Sequence, residues 1–277
     1  MLKSILLGLD GSPSSGAAVE LGIQWAKRFN ALLVGLGIVD EATIGKPSAE
    51  LIDETYYKRE PDDELVQEAH RAMEQFLKQF EARCAEANIS FKLLQDNGLP
   101  YEEILRESQR YDLVLFGHET HFRFGTIDRP DETLWNVLKR EPRPVVIAPP
   151  KREAGSSVVV AYNGSPQADR ALQAFQSSGL DLEEEVCVFS TDEDREEATR
   201  QAERAVELLR LHAIDAVTHA LGPVDSVSQS ILEEVRQRNA RLLVMGAYGH
   251  STVREFLLGS ITKAVLKESP LPVFLCH

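Results

Sequence analysis

Hydrophobic and polar positions follow two alternating patterns along the chain. In the second half, short runs such as SVVVAY, EVCVFS, AVTHA, LLVMG and PVFLC are nearly all apolar. Runs of this length and β-branched composition predict buried strands. The segments between them, such as EEATRQAERAVELLRLHA, repeat apolar residues every three or four positions, which predicts helices. The first half repeats this order, so we predict five strands alternating with helices in each half.

Two helix boundaries in the second half can be predicted from proline. Pro166 follows Asn-Gly-Ser and suits the first turn of a helix, which we expect to end at about Ser178. Gly222-Pro223 is expected to open a later helix that ends near Asn239.

The apolar strands predict the fold class. A strand without polar alternation is covered on both faces, so helices must lie on both sides of a parallel sheet. Right-handed crossovers leave few topologies, and we predict two doubly wound, Rossmann-like α/β domains of five parallel strands each. In such sheets ligands bind at the carboxyl ends of the strands, where the strand order reverses. The loops at Asn163 and Gly246, after the first and fourth strands, occupy that edge.

An internal repeat supports this two-domain organisation. ILLGLDGSP aligns with VVVAYNGSP, YDLVLFG with ARLLVMG, and EPRPVVIAPP with SPLPVFLCH, in the same order in both halves. Residues 149–157, PPKREAGSS, are polar and rich in Pro, Gly and Ser, as linkers are. We therefore expect domains at residues 1–150 and 157–277.

Composition narrows the classes of partner. The formal net charge is −14 and the sequence pI is about 5.0, which disfavours nucleic acid but leaves room for a small phosphate ligand. The three cysteines form no CxxC pair, and we expect buried thiols in a reducing cytoplasm. The apolar run at the N-terminus is too short for a signal peptide or a membrane span.

Glycine and hydroxyl residues after the fourth strand of the second half carry the candidate chemistry. Four residues follow the spacing G-x2-G-x9-G-S: Gly246, Gly249, Gly259 and Ser260. Glycines before a helix N-terminus let phosphate oxygens approach backbone N–H groups and the positive end of the helix dipole. Ser260 and Thr262 are expected to add hydroxyl donors, and His250 a proton donor. The alternative, turn glycines without a ligand, is weakened by their position at the ligand-binding edge.

These motifs make the chain similar to tandem members of the universal stress protein family, the UspA-like group. The family's nucleotide-binding signature, G-x2-G-x9-G-[ST], is matched at every spacing. The resemblance implies a five-stranded parallel α/β fold and binding of ATP, with ADP or AMP as alternatives, often with a divalent cation. It implies that the adenosine side is lined by Ala161, Tyr162 and Asn163. It implies that the ribose and phosphates are held by Met245, Gly246, Gly249, His250, Gly259, Ser260, Ile261 and Thr262.

One residue departs from the family pattern in the second half. The family usually has Asp where this chain has Asn163. Asn keeps the hydrogen-bonding shape but lacks the charge that helps to hold a metal. We therefore expect no metal-binding residues, and Mg²⁺ only through the phosphates.

The first half departs more strongly from the signature. Gly117 has no glycine three residues later, and Asp131 and Glu132 stand where the last glycine and the serine of the signature belong. Two carboxylates would repel a polyphosphate, so we expect this half to be degenerate and to bind no nucleotide. Asp10 keeps the family's acidic residue, and we interpret it as part of a helix-capping turn, Asp-Gly-Ser-Pro.

The function predicted from the sequence is an adenine-nucleotide-binding regulatory module in stress response, with its site in the second half and no catalytic residues. The fifth strands are expected to pair the two halves as an intramolecular pseudo-dimer, with a homodimer of chains as a secondary expectation. Two alternatives stay open: a scaffold that binds no nucleotide, and an enzyme that uses adenine nucleotides, with slow ATP hydrolysis. NGSPQAD and DGSPSSG lack the SGGxDS or HxGH signatures of such enzymes.

Two further features of the first half have open interpretations. His118 and His121 have HxxH spacing, which is more typical of surface loops than of metal sites when no cysteine is near. Residues 39–60 have no long counterpart in the second half, and they could cover the first domain's cleft, form a partner surface, or be a long surface loop.

Overall fold

The structure is a computed structural model that describes residues 1–44, 63–126, 132–151, 154–182, 184–247 and 259–277. The strands in these residues are β1 (Ser4–Gly8), β2 (Leu32–Val39), β3 (Phe91–Asn97), β4 (Leu113–Gly117), β5 (Val145–Ala148), β6 (Ser157–Ala161), β7 (Glu185–Thr191), β8 (Ala216–Leu221), β9 (Ala240–Gly246) and β10 (Val273–Cys276). The helices are α1 (Pro13–Phe29), α2 (Glu41–Ile44), α3 (Asp63–Glu86), α4 (Pro100–Ser108), α5 (Thr133–Arg140), α6 (Pro166–Ser178), α7 (Arg195–Leu211), α8 (Val227–Gln237) and α9 (Ser260–Glu268).

The strands form one continuous sheet in the order β3-β2-β1-β4-β5-β10-β9-β6-β7-β8. All pairs within each half are parallel, which confirms the predicted fold of two five-stranded doubly wound units. The fifth strands of the two halves, β5 and β10, pair antiparallel, with Val146 opposite Phe274. The expected pairing within the chain is therefore present, and the strands of the two halves point in opposite directions.

Two apolar layers cover the sheet, one on each face. Along β6, Val158 and Val160 face the layer that includes α1, α3, α6 and α7, whereas Val159 faces the layer that includes α4, α5, α8 and α9. This alternation has the period of two that a strand imposes. Apolar residues on both faces of the strand therefore require helices on both sides, as the sequence predicted.

The helix boundaries predicted from proline were right in one case and wrong in the other. α6 runs from Pro166 to Ser178 as predicted. The helix expected to open at Gly222-Pro223 begins only at Val227, because the Ser226 hydroxyl accepts from Gln229 N (3.4 Å) and caps the helix there.

The state of the cysteines and the length of the helices can be compared with what the sequence predicted. Cys84, Cys187 and Cys276 are buried free thiols, as expected. Among the helices of the described residues, none combines the length and apolar character needed to cross a membrane. Residues 39–60, which have no long counterpart in the second half, are only partly described. They include the last residue of β2 and the short helix α2, and residues 45–60 lie outside the described part of the chain.

Candidate functional site

A cleft of about 270 Å³ opens at the carboxyl ends of β6, β7 and β9. It lies where the chain order reverses, because β6 is hydrogen-bonded to β7 on one side and to β9 on the other. The N-termini of α8 and α9 contribute Val227 and Ile261 to its walls. The described residues that line it are Ala161, Tyr162, Asn163, Phe189, Thr191, Asp192, Val227, Ile231, Met245, Gly246, Ile261 and Thr262.

The lining separates into an apolar floor and a polar rim. Phe189, Ile231 and Met245 belong to the apolar layer under the sheet and form the floor. Asn163 and Asp192 add polar groups at the strand ends. An apolar surface with a few placed polar groups is typical of small-molecule sites.

Most of the site residues expected from the sequence lie together in this cleft. Seven of them line it: Ala161, Tyr162, Asn163, Met245, Gly246, Ile261 and Thr262. Gly259 and Ser260 lie directly before Ile261, as the N-cap and first residue of α9. Gly249 and His250 lie outside the described residues.

Five cleft residues were not anticipated from the sequence. They are Phe189, Thr191, Asp192, Val227 and Ile231. The first three lie at or just after the end of β7, the second strand of this half, which reaches the same edge of the sheet as Asn163. Because ligands bind at that edge, the sequence could have predicted them. The two residues of α8 depend on how that helix packs on the sheet, and no local signal in the sequence indicates this.

The N-terminus of α9 has no side-chain cap, a property that it shares with α4 and α5. α1, α6 and α8 each begin after a serine whose hydroxyl accepts a first-turn amide. α9 begins after Gly259, which has no side chain to do so, and Ile261 in its first turn lines the cleft. The first amides of a helix lack intrahelical partners, so this end is suited to an acceptor from outside the helix.

Thr262 has a structural role that the sequence did not indicate. Its side chain is buried, and its hydroxyl donates to the carbonyl oxygen of Ala247 at 3.0 Å. The bond ties the exit of β9 to the first turn of α9. The expected role of Thr262 as a hydroxyl donor to a ligand stays a prediction.

Gly246 is a glycine for a packing reason as well as for its place in the cleft. A Cβ at Gly246 would lie 2.8 Å from Ala168 N, in the first turn of α6. Its counterpart Gly117 has the same constraint, since a Cβ there would lie 2.5 Å from the carbonyl carbon of Ser14 in α1. The shared glycine of the two halves is thus required by close helix–strand contact, whether or not a ligand binds.

Asn163 and Asp10 have equivalent roles in the turns that lead into α6 and α1. Asn163 Oδ1 accepts from Ser165 N at 3.2 Å, and Asp10 Oδ1 accepts from Ser12 N at 3.1 Å. The serine in each turn is the N-cap of the following helix. The predicted capping turn in the first half is confirmed, with Ser12 as the cap and Asp10 as the residue that holds it.

Aromatic rings fill the corresponding place in the first half. By strand register, Gly8 is the counterpart of Ala161. A Cβ at Gly8 would lie 2.6 Å from the Phe116 ring and 2.9 Å from the Phe122 ring, and both rings are fully or almost fully buried. The space that is a cleft above Ala161 is therefore occupied in the first half.

The loop after β4 folds back to bring Phe122 into this position. His121 N donates to Asp10 Oδ2 at 2.7 Å, and the Thr120 hydroxyl donates to Gly117 O at 2.9 Å. Phe122 itself has a φ of 49°, in the left-handed region that bulky residues seldom adopt. Burial raises the pKa of Asp10, although the amide of His121 and the amide and hydroxyl of Ser12 oppose that shift.

The other predicted features of the first half are only partly within the described residues. Glu132 is the exposed N-cap of α5, and Asp131 lies outside the described part of the chain. His121 Nδ1 lies 3.9 Å from Asp10 Oδ2. Within the described residues, no group of three or more His, Cys, Asp or Glu side chains is arranged to hold a metal ion.

A buried polar cluster supports the α8 wall of the cleft. Glu234, one turn after Ile231, accepts from Cys187 Sγ at 3.3 Å and from Arg238 Nε at 2.9 Å, and it pairs with His219 Nδ1 at 2.6 Å. Burial alone would raise the pKa of Glu234, but the bonds from Cys187, Arg238 and His219 outweigh it and lower the pKa. Burial, and then the bond to Glu234, raise the pKa of Cys187 to about 12, so this thiol is unreactive.

Comparison with known proteins identifies the family. The model of the universal stress protein family matches residues 1–149 and again residues 156–277. The chain belongs to the universal stress protein family. The two matches follow the two halves of the sheet, so the chain is a tandem universal stress protein.

Individual relatives are distant in sequence. A universal stress protein of Synechocystis sp. is 26% identical over 165 residues, which cover 59% of this chain and 57% of the relative. The crystal structure of a universal stress protein from Archaeoglobus fulgidus DSM 4304 covers 99% of this chain and 98% of its own, at 24% identity and a TM-score of 0.72. That likeness supports the fold. A shorter Archaeoglobus fulgidus universal stress protein, solved with dAMP, is 22% identical and covers 44% of this chain and 98% of its own, with a TM-score of 0.37.

Proposed function

We propose that this universal stress protein binds one adenine nucleotide per chain, in the cleft of its second half, and that it acts as a nucleotide-dependent regulatory module in stress response. The observation that carries the proposal is one cleft in which an apolar floor meets an uncapped helix N-terminus. The dAMP complex is a property of that relative alone.

Each part of a nucleotide has a suitable partner in the cleft. The floor of Phe189, Ile231 and Met245 suits an apolar ring face such as a purine. The N-terminus of α9, entered through Gly259, suits phosphate oxygens, because its first amides and the helix dipole favour an anion there. The nucleotide is ATP in the first instance, with ADP and AMP as the alternatives to be tested.

The first half supports a stoichiometry of one. Phe116 and Phe122 occupy the space next to Gly8, and the backbone N–H of His121 donates a hydrogen bond to the carboxylate of Asp10. Glu132, at the N-terminus of α5, would also repel a phosphate. A nucleotide would have to displace two buried rings before it could enter, so we assign this half a supporting role in the shared sheet.

The cellular setting of the protein is also part of the proposal. Three buried free thiols are typical of a reducing compartment, so we place the protein in the cytoplasm. The fifth strands already pair within the chain, so a homodimer of chains would need another surface.

Isothermal titration of the full chain with ATP, ADP and AMP tests the proposal. We expect one site per chain for at least one of these nucleotides. The Ser260→Glu variant gives α9 the residue found at the matching position of the first half. It should weaken binding about fivefold or more, because like charges at 4 Å in water repel by about 1 kcal/mol. Stability should be kept, since an acidic residue suits a helix N-terminus.

The control variant is Gln75→Glu, which adds the same charge on an exposed position of α3 in the first half. It should leave the affinity unchanged. A stoichiometry of two would contradict the assignment of one site, and equal affinities for the two variants would remove α9 from the site. No heat with any of the three nucleotides would favour the scaffold alternative.

A further inference from the structure

The orientation of the Asn163 side chain is fixed by its own turn. The amide N–H of Ser165 points at the side chain from 3.2 Å. Because Ser165 N is a donor, the atom that faces it must be the carbonyl oxygen of Asn163. The NH₂ group is therefore the part of the side chain that the turn does not use, and Asn163 lines the cleft.

The first half shows what a carboxylate at this position requires. One carboxylate oxygen of Asp10 accepts from the amide and the hydroxyl of Ser12, just as the side-chain oxygen of Asn163 accepts from the amide of Ser165. The second oxygen of Asp10 accepts from His121 N at 2.7 Å. His121 belongs to the loop after β4, which also carries Phe122 into the space beside Gly8. Beside a phosphate, a carboxylate would need a cation between the two anions.

The rest of the cleft does not offer a metal site. Asp192 is the one carboxylate among the described residues that line it, and Asp192 Oδ1 already accepts from Asp194 N at 3.1 Å. In the parts of the chain that the structure describes, no cluster of metal-ligating side chains occurs. The described donors of the cleft do not fit a divalent cation held by the protein.

We propose that Asn163 allows the second half to bind its nucleotide without a divalent cation. The NH₂ group donates to an oxygen of the ribose-phosphate part, at the position where a carboxylate would require a bridging metal. This inference rests on the proposed nucleotide binding and assigns Asn163 as the residue that sets the cation requirement of the site.

The test compares wild type with Asn163→Asp, by titrating the full chain with ATP in EDTA and in MgCl₂. Wild-type affinity should differ by less than about threefold between the two buffers, which is about 0.6 kcal/mol. The variant should bind about fivefold more weakly than wild type in EDTA, from one like-charge contact at 4 Å, and Mg²⁺ should restore most of the loss. Gln75→Glu again controls for the added charge.

The fold of the variant can be checked independently. Asp10 forms the same turn in the first half, so Asn163→Asp should unfold at the same temperature as wild type. A tenfold loss of wild-type affinity in EDTA would overturn the inference and leave the proposed function standing. Equal affinity of variant and wild type in EDTA would remove Asn163 from this role. If wild type binds no nucleotide in either buffer, the proposed function fails and this inference fails with it.

Discussion

Phe122→Ala tests most directly whether the first half is closed by its own side chains. Phe122 is fully buried, and its ring lies over the Cα of Gly8, where even a methyl group would come within 2.9 Å. The ring belongs to the apolar layer that also contains Phe116 and Ile38. Truncation to alanine should leave a cavity at the end of β1.

The expected loss of stability is about 3–5 kcal/mol, the range for removing a buried aromatic ring when the surroundings relax only partly. Collapse of the loop could reduce this value, since Phe122 lies in the left-handed region with a φ of 49°. The bond from His121 N to Asp10 would still hold the loop in place, so we expect the higher part of the range.

The measurement is urea unfolding of wild type, Phe122→Ala and the milder Phe122→Leu, followed by tryptophan fluorescence and circular dichroism. The alanine variant should have a lower midpoint at an unchanged denaturant dependence, with the leucine variant between it and wild type. ATP titration of the same proteins should leave the affinity of the second half unchanged.

A loss of less than about 1 kcal/mol in Phe122→Ala would show that the ring is not packed as described, and the argument for a filled first half would fail. A second ATP site in Phe122→Ala, absent from wild type, would support the same argument, because it would show that the ring keeps the ligand out.

Two further outcomes follow from the contacts around the cleft. Gly246→Ala should destabilise the protein by about 1–3 kcal/mol, because its Cβ would lie 2.8 Å from Ala168 N. Gly16→Ala in α1 should stabilise it by about 0.5–1 kcal/mol, because a Cβ there would meet no atom within 4 Å beyond the neighbouring backbone of its own helix. Urea unfolding at pH 7 measures both, and equal effects would contradict the packing account of Gly246. The folded state lowers the pKa of Glu234 below its ordinary value, so the contribution of this carboxylate to stability is present above that value and is lost as the pH falls through the folded value. The unfolding midpoint of Glu234→Gln should therefore fall less than that of wild type below about pH 4.3, the ordinary pKa of Glu, and parallel curves would refute this.

The sequence by itself determined the fold of each half and the edge at which a ligand would bind. Apolar runs such as Val158–Val160 have a period that is readable locally, and strands covered on both faces allow few arrangements. The turn that holds Ser12 or Ser165 is also local, because its bonds join residues two apart. These features depend on neighbours in the chain, and the sequence contains them directly.

Only the tertiary structure decided why the two halves differ at their clefts. The sequence explained the first half by charge at residues 131 and 132, whereas the structure adds two rings, Phe116 and Phe122, packed on Gly8. The sequence also predicted that Gly246 contacts a ligand and that Thr262 donates to one. In the structure Gly246 packs closely against Ala168, and Thr262 donates to the carbonyl oxygen of Ala247. Such contacts join residues far apart in the chain, so their distances are set by the packing of helices on the sheet, which no local pattern records.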